Sequence, residues 1–361
     1  MKALYIGHYK DGTGWGNAAL NNILALDTAG VNVVPRAITY EAEDKVKNPT
    51  IEKLEQKDQS GCNIVIQHTL PSNYCYDGRF DKNIGVLCAE SSNFNQTDWA
   101  RNCNTMDEIW VPNKATRKIC LESGVTVPVR LVKYSLDLEQ YKPEGKAAVQ
   151  ELKDNFVFGF VGEFIERKNI QALVRAFHMV FDSRDKVKLF IKTSKKSVHQ
   201  VQEYCGHIRK GLKLPKCFSE EVIICGSIPQ AEYVDIISQI DCFVMPSRGE
   251  SFCIPSLEVL AMGIPSIWTK DIGMDHVIGL PVPSRDVPCF GAIETLEDID
   301  TSASTWKEID IIELSKAMKR MYDTLIVPEI KQDVAIQCET AASKYSHKTV
   351  GLEMKGLLDD R

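Results

Sequence analysis

No stretch of this 361-residue chain approaches the ~18 consecutive apolar residues that would span a bilayer, and none of its twelve cysteines forms a C-x-x-C pair. The first absence excludes a transmembrane helix. The second leaves no spacing for a zinc site or a dithiol redox motif. Basic charge is also short: the net charge is −6. The first 150 residues are close to balanced, so neither half reads as a surface for tight, nonspecific nucleic-acid binding. No repeat of 20–50 residues is present. The opening run, Met1 to Gly7, is too short for a signal peptide's apolar core. A cytoplasmic protein with reduced thiols is the expectation. Cys62, Cys88, Cys225 and Cys242 fall inside apolar runs, where a thiol behaves as a small core group.

What is present is an alternation of short β-branched runs with longer amphipathic stretches, the pattern of parallel βαβ units. It predicts strands over residues 3–6, 31–35, 63–67, 83–89, 108–111 and 129–131 in the first half. In the second half it predicts strands over 156–161, 187–192, 222–225, 242–245 and 265–268. Helical periodicity is clearest over 16–29, 114–123, 170–181, 230–240, 256–262 and 312–322. Two α/β sets follow, separated by the polar stretch 137–155. The expected division is residues 1–145 and 146–337, with a C-terminal helix of about 338–361 packing back on the first; the closing stretch, roughly 332–358, reads as one or two helices. Residues 281–306 read as loop.

Three loops carry the chemistry. Asp11-Gly12-Thr13-Gly14-Trp15-Gly16-Asn17 follows the first strand and opens a helix, either as a structural turn or as an anion-facing loop. Gly162-Glu163-Phe164-Ile165-Glu166-Arg167-Lys168-Asn169 places two cations at the crevice end of a parallel sheet. A planar guanidinium beside a mobile ammonium suits a diphosphate. The third loop, Ser247-Arg248-Gly249-Glu250-Ser251-Phe252-Cys253-Ile254-Pro255-Ser256-Leu257-Glu258, joins a strand to a helix. Its amides can surround an anion while Glu250 and Glu258 accept hydroxyl hydrogens. A nucleotide sugar has that layout.

Glu250-x7-Glu258, with the Gly162…Arg167-Lys168 element, resembles the retaining GT-B glycosyltransferases of family 4. Gly226-Ser227-Ile228-Pro229-Gln230 and Asp241-Cys242-Phe243-Val244-Met245-Pro246-Ser247 agree in chain order. Asp107 to Asn113 and Tyr134-Ser135-Leu136-Asp137 extend the likeness more loosely into the first half. The resemblance implies an α/β fold of two Rossmann-like domains facing across a cleft, an acceptor side first and a donor side second. It implies retaining, metal-independent transfer of a sugar from a UDP- or GDP-sugar to an acceptor hydroxyl, the nucleotide sugar being a co-substrate and no cofactor needed. Glu250 would contact the donor sugar and Glu258 the ribose, while Arg167 and Lys168 clamp the diphosphate. Gly14, Gly162, Ile228, Ser251, Phe252 and Cys253 would complete the donor site. His68 or Glu90 would line the sugar from the first half. Cys253 stands where the family often has glycine. Asp298-Ile299-Asp300 is the only compact acidic triplet and a weak metal candidate. The acceptor stays open among glycans, small molecules and modified DNA bases. The alternative is a nucleotide-sugar-binding protein of the same fold without transferase activity.

Overall fold

The structure, a computed structural model, describes residues 1–38, 46–289 and 304–360. The first half runs β1 (Lys2–Gly7), α1 (Gly14–Thr28), β2 (Asn32–Ala37), α2 (Pro49–Glu55), β3 (Ile64–His68), β4 (Lys82–Val86), α3 (Trp99–Cys103), β5 (Glu108–Val111), α4 (Lys114–Glu122) and β6 (Val129–Leu131). These strands form one parallel sheet in the order β2-β1-β3-β4-β5-β6. Ile64, Val65 and Ile66 are all buried, as a central parallel strand covered on both faces requires.

The second half runs β7 (Phe156–Val161), α5 (Ile170–Val180), β8 (Val187–Thr193), α6 (Val198–Leu212), β9 (Val222–Cys225), α7 (Gln230–Ile237), β10 (Cys242–Met245), α8 (Ile254–Ala261), β11 (Ser266–Thr269) and β12 (Gly279–Val282). Its sheet is also six-stranded, β12-β11-β10-β7-β8-β9. A hairpin of β13 (Ser284–Pro288) and β14 (Thr305–Ile309) follows, then α9 (Ile311–Leu325), α10 (Pro328–Ala342) and α11 (His347–Asp359). Strand order reverses between β7 and β10, and ligands of open α/β sheets bind in the crevice at such a point. Each half has its own core, one around Phe158, Phe177 and Phe190, the other around Tyr5, Ile23 and Ile66. The expected two Rossmann-like layers are therefore what the chain forms.

One expectation needs correction, and two others can be placed. Residues 281–306 are not all loop, because β12, β13 and β14 occupy both ends of that stretch. The acidic triplet Asp298–Asp300 lies outside the described residues. The closing stretch, read as one or two helices, is two, α10 and α11. α10 packs on α8 and α11 on α1, so closely that a Cβ on Gly351 would collide with the Ala25 carbonyl. Helix α6 was invisible to periodicity because only Val201, Cys205 and Ile208 of it are buried.

The connector is fixed at one end. Asp235 of α7 accepts hydrogen bonds from the consecutive amides of Glu144, Gly145, Lys146 and Ala147 at 2.7–2.9 Å. At the other end Leu136 donates to the Tyr345 carbonyl at 2.8 Å and bridges to Ser346. Among the described residues no helix is long and apolar enough to cross a membrane.

Candidate active site

The loop after β7 and the loop after β10 meet at the crevice. The backbone N–H of Arg248 donates to the Arg167 carbonyl at 2.7 Å, and the Ser247 hydroxyl reaches the same oxygen at 3.0 Å. This pinning presents both cations to Glu250. Lys168 Nζ lies 2.6 Å from Glu250 Oε1, and Arg167 Nη1 lies 3.1 Å from the same oxygen and 2.6 Å from the Gly249 carbonyl. The Glu250 side chain is 4% exposed. Burial pushes its carboxyl up, but Lys168 and Arg167 outweigh burial and hold it below its ordinary value.

Glu90, in the segment after β4, completes the cluster from the opposite half. Its Oε2 is 3.0 Å from Arg167 Nε, an ion pair whose angle falls short of a hydrogen bond. Burial raises the Glu90 carboxyl above its ordinary value despite that cation. The two halves touch here. A Cβ on Gly249 would collide with the Glu90 carbonyl, so only glycine permits the approach. Asn113, the cap of α4, donates to the carbonyls of Ser251 and Gly273, and Thr116 Oγ1 sits 3.3 Å from Ser251 Oγ. Thr305 of β14 receives the Ser92 amide at 3.1 Å.

His68 is placed differently. It ends β3, with Nδ1 2.7 Å from the Tyr5 hydroxyl and its ring stacked 5.8 Å from Tyr134. Burial and His8 depress its pKa to about 3, so it is neutral. Tyr134 in turn meets Phe252 edge-on at 5.3 Å. Of the two first-half candidates, Glu90 joins the charged cluster and His68 stands behind an aromatic layer.

Beyond Glu250 the chain turns into α8. Phe252 stacks on His276 at 4.3 Å and 6°, and His276 Nε2 lies 2.7 Å from Ser256 Oγ. Cys253 adopts φ 63°, the left-handed conformation that glycine takes without cost. This explains the glycine of the resembling family and shows that the cysteine keeps the glycine backbone. Burial lifts its thiol to about 12, so it is no nucleophile. Replacing Cys253 by Gly should relieve about 1–2 kcal/mol of left-handed strain while losing one buried thiol. The urea midpoint should therefore move little. Cys253→Val adds a branched Cβ to the same φ and should lower the midpoint clearly; equal midpoints for the two variants would contradict the strain.

Glu258 lies one turn into α8, with Tyr141 Oη 2.8 Å from Oε1 and Tyr233 Oη 2.5 Å from Oε2. Burial raises its carboxyl, against the pull of the two hydroxyls. Gly162 closes β7, its amide bonded to the Lys192 carbonyl at 3.0 Å, and Ile228 packs against the second core. Gly14 opens α1, and a Cβ there would meet nothing within 4 Å. The crowded glycine is Gly16, whose Cβ would collide with Asp11, the residue that also holds Thr13 at 2.8 Å. The turn is thus built around Asp11 and Gly16, leaving Gly14 at its open edge.

Tyr141, Tyr233, Asn113 and His276 are contributors that motif reading missed. Asn113 was readable as a helix cap before Lys114, but its bonds to residues 251 and 273 have no local signal.

Residues 155–294 match the family model of glycosyl transferases, group 1. The capsular polysaccharide biosynthesis glycosyltransferase CapM of Staphylococcus aureus is 27% identical over 128 residues, 35% of this chain and only 31% of that protein's length. Among solved structures, the sucrose-phosphate synthase of Thermosynechococcus elongatus superimposes with a TM-score of 0.67 at 14% identity, over 99% of this chain and 98% of its own. HepE of Anabaena gives 0.66 at 12% identity over 100% of both chains. The trehalose-6-phosphate synthase OtsA gives 0.70 at 10%, over 100% and 99%. Residues 155–294 therefore match the group 1 glycosyltransferases, and the chain as a whole has the GT-B fold of its structural neighbours.

Proposed function

We propose that this protein is a retaining glycosyltransferase of the family-4 type, moving a sugar from a nucleotide-sugar donor to an acceptor hydroxyl without a metal ion. The observation that carries this reading is the convergence of Arg167 and Lys168 on Glu250 beside the start of α8. Two cations at the sheet's switch point supply the charge that a diphosphate leaving group needs, and their side chains are largely buried. HepE was solved with UDP and glucose, which favours a UDP-sugar over a GDP-sugar here. The donor's phosphate would take Arg167 and Lys168 from their carboxylate partners. Glu250 would then accept sugar hydroxyls and Glu258 those of the ribose.

In a front-face reaction the bond from the sugar's anomeric carbon to the phosphate oxygen breaks with its electron pair going to phosphate. The acceptor oxygen bonds the same face, and its proton passes to the leaving phosphate. Arg167 and Lys168 stabilise the charge that accumulates, and no protein group need be a strong base. The non-catalytic alternative draws on Glu258, whose two oxygens are already satisfied by tyrosines.

Thermal melting with UDP-glucose, GDP-mannose and ADP-glucose tests donor binding, since a ligand of the folded state raises the midpoint. Turnover of the stabilising donor should persist in excess EDTA. A tenfold loss, about 1.4 kcal/mol of barrier, restored by manganese would reject metal independence. Stabilisation without turnover on any acceptor would favour the binding-protein alternative.

A further inference from the structure

The cations of the clamp are already neutralised. Lys168 holds Glu250 at 2.6 Å, while Arg167 holds Glu250 at 3.1 Å and Glu90 at 3.0 Å. Two positive charges therefore face two negative ones. The surrounding ring has no surplus to lend. Glu163 pairs with Lys195 at 3.1 Å, and Arg248 pairs with both Glu166 and Glu308. The diphosphate of a nucleotide sugar adds two negative charges to this balance. Arg167 and Lys168 are each only 11% exposed, and unbalanced charge in so enclosed a place is costly. One carboxylate has to leave or be neutralised.

The two carboxylates are not equivalent. Glu250 carries both cations on one oxygen, which keeps it ionised. Glu90 comes from the opposite half, and Arg167 is its one ion pair among the described residues, at an angle short of a hydrogen bond. Its side chain is 20% exposed, so a proton from solvent can reach it. Its backbone cannot retreat while the halves stay together, because the Glu90 carbonyl lies against Gly249.

We propose that Glu90 occupies Arg167 in place of a donor phosphate, and that donor binding passes Arg167 to the diphosphate while Glu90 takes up one proton from solvent. This deepens the transferase reading above and rests on it. Charge and atoms balance: the carboxylate and one proton give a neutral carboxyl, and Arg167 exchanges one anion for another. The new O–H can then donate to a phosphate oxygen where the carboxylate would have repelled it. Burial already lifts the Glu90 carboxyl above its ordinary value, against Arg167 and Lys168 and with the help of Glu250 and Glu163. A diphosphate alongside acts in the same direction as those two carboxylates. The nearby thiols do not compete for the proton, since burial pushes Cys88 up to about 11 and Cys253 up to about 12.

A group that holds more proton in the complex than in the free protein makes binding weaken as pH rises, by at most about tenfold per pH unit for one proton. The test is calorimetric titration of the full chain with UDP-glucose and with GDP-mannose, in phosphate and in Tris at pH 6.5. The two buffers ionise with different heats, so the difference counts protons. Neither diphosphate titrates in this range, so any uptake belongs to the protein. The donor that binds should bring in at least about half a proton, and its affinity should fall at least about fivefold between pH 6 and pH 8. Glu90→Gln is neutral throughout. It should take up no proton, show a flat profile and bind the donor at least about fivefold tighter than the parent at pH 8. Glu90→Asp, which keeps the charge, should keep the uptake. The proton count in the parent needs no variant and decides the matter even where a variant fails to fold. Donor binding without proton uptake would overturn the proposal and leave the transferase reading standing. So would weaker donor binding by a folded Glu90→Gln at pH 8, or a parental pH profile in that variant. If neither nucleotide sugar binds the parent or Glu90→Gln, the transferase reading falls and this proposal with it.

Discussion

Glu250→Gln should lower kcat by roughly two to three orders of magnitude, the cost typical of losing one preorganised electrostatic group at a reacting centre. One Glu250 oxygen holds both Lys168 at 2.6 Å and Arg167 at 3.1 Å. An amide cannot balance two cations, and its NH₂ cannot face an ammonium without repulsion. The clamp would lose its geometry as well as its countercharge, while Glu90 still holds Arg167 from the other half. Glu258→Gln should behave differently. Glu258 is assigned to the ribose, which is bound alike in substrate and transition state, so donor KM should rise with kcat little changed. Initial rates at saturating donor separate the two. A Glu250→Gln enzyme with kcat within about threefold of the parent would remove Glu250 from the reaction.

Glu221→Gln should destabilise the second half by about 3 kcal/mol or more, because it leaves a buried cation without its partner. Glu221 sits between α5 and α6, with His178 Nε2 2.6 Å from Oε1 and Arg209 on Oε2; its side chain is 1% exposed. Burial raises the Glu221 carboxyl, but the bonds from His178 and Arg209 prevail and leave it below its ordinary 4.5. A carboxyl depressed in the folded state contributes stability above 4.5 and loses it as pH falls through the lower folded value. Urea midpoints at pH 7 and pH 4 should show the gap between parent and variant narrowing in acid. A gap that widens there would assign the loss to packing instead.

How much of this was legible follows from the range of each interaction. β5, β6, β7, β9 and β10 were predicted to the residue, because parallel strands, central or at an edge, are short apolar runs bounded by turn residues. α6 was missed because its stripe of three buried residues is too thin. Arg167, Lys168 and Glu250 were each expected at the donor, and their direct pairing follows from the sheet order that sets β7 beside β10. The tyrosines on Glu258 were not, because Tyr141 reaches it from the connector across 117 residues of sequence. Likewise nothing local marks Asn113 as the residue that grips the Glu250 loop. Of the three alternate glycines, the sequence does not say which one packs against Asp11; it is Gly16, while Gly14 lies at the open edge of the turn.

The four amides gathered by Asp235 have a mechanical consequence. They weld residues 144–147 to α7, so that part of the connector travels with the second half. Freedom to bend is left to the span before Glu144. The chain's return crossing, near Tyr345, lies directly beside the start of that span, because Leu136 is bonded to it. Two crossings placed side by side act like the paired leaves of a door hinge. Such a pair would favour rotation about one axis over sliding. Contacts between the halves that a rotation of this kind would part include Glu90 with Arg167, Asn113 with Ser251 and Gly273, and Ser92 with Thr305.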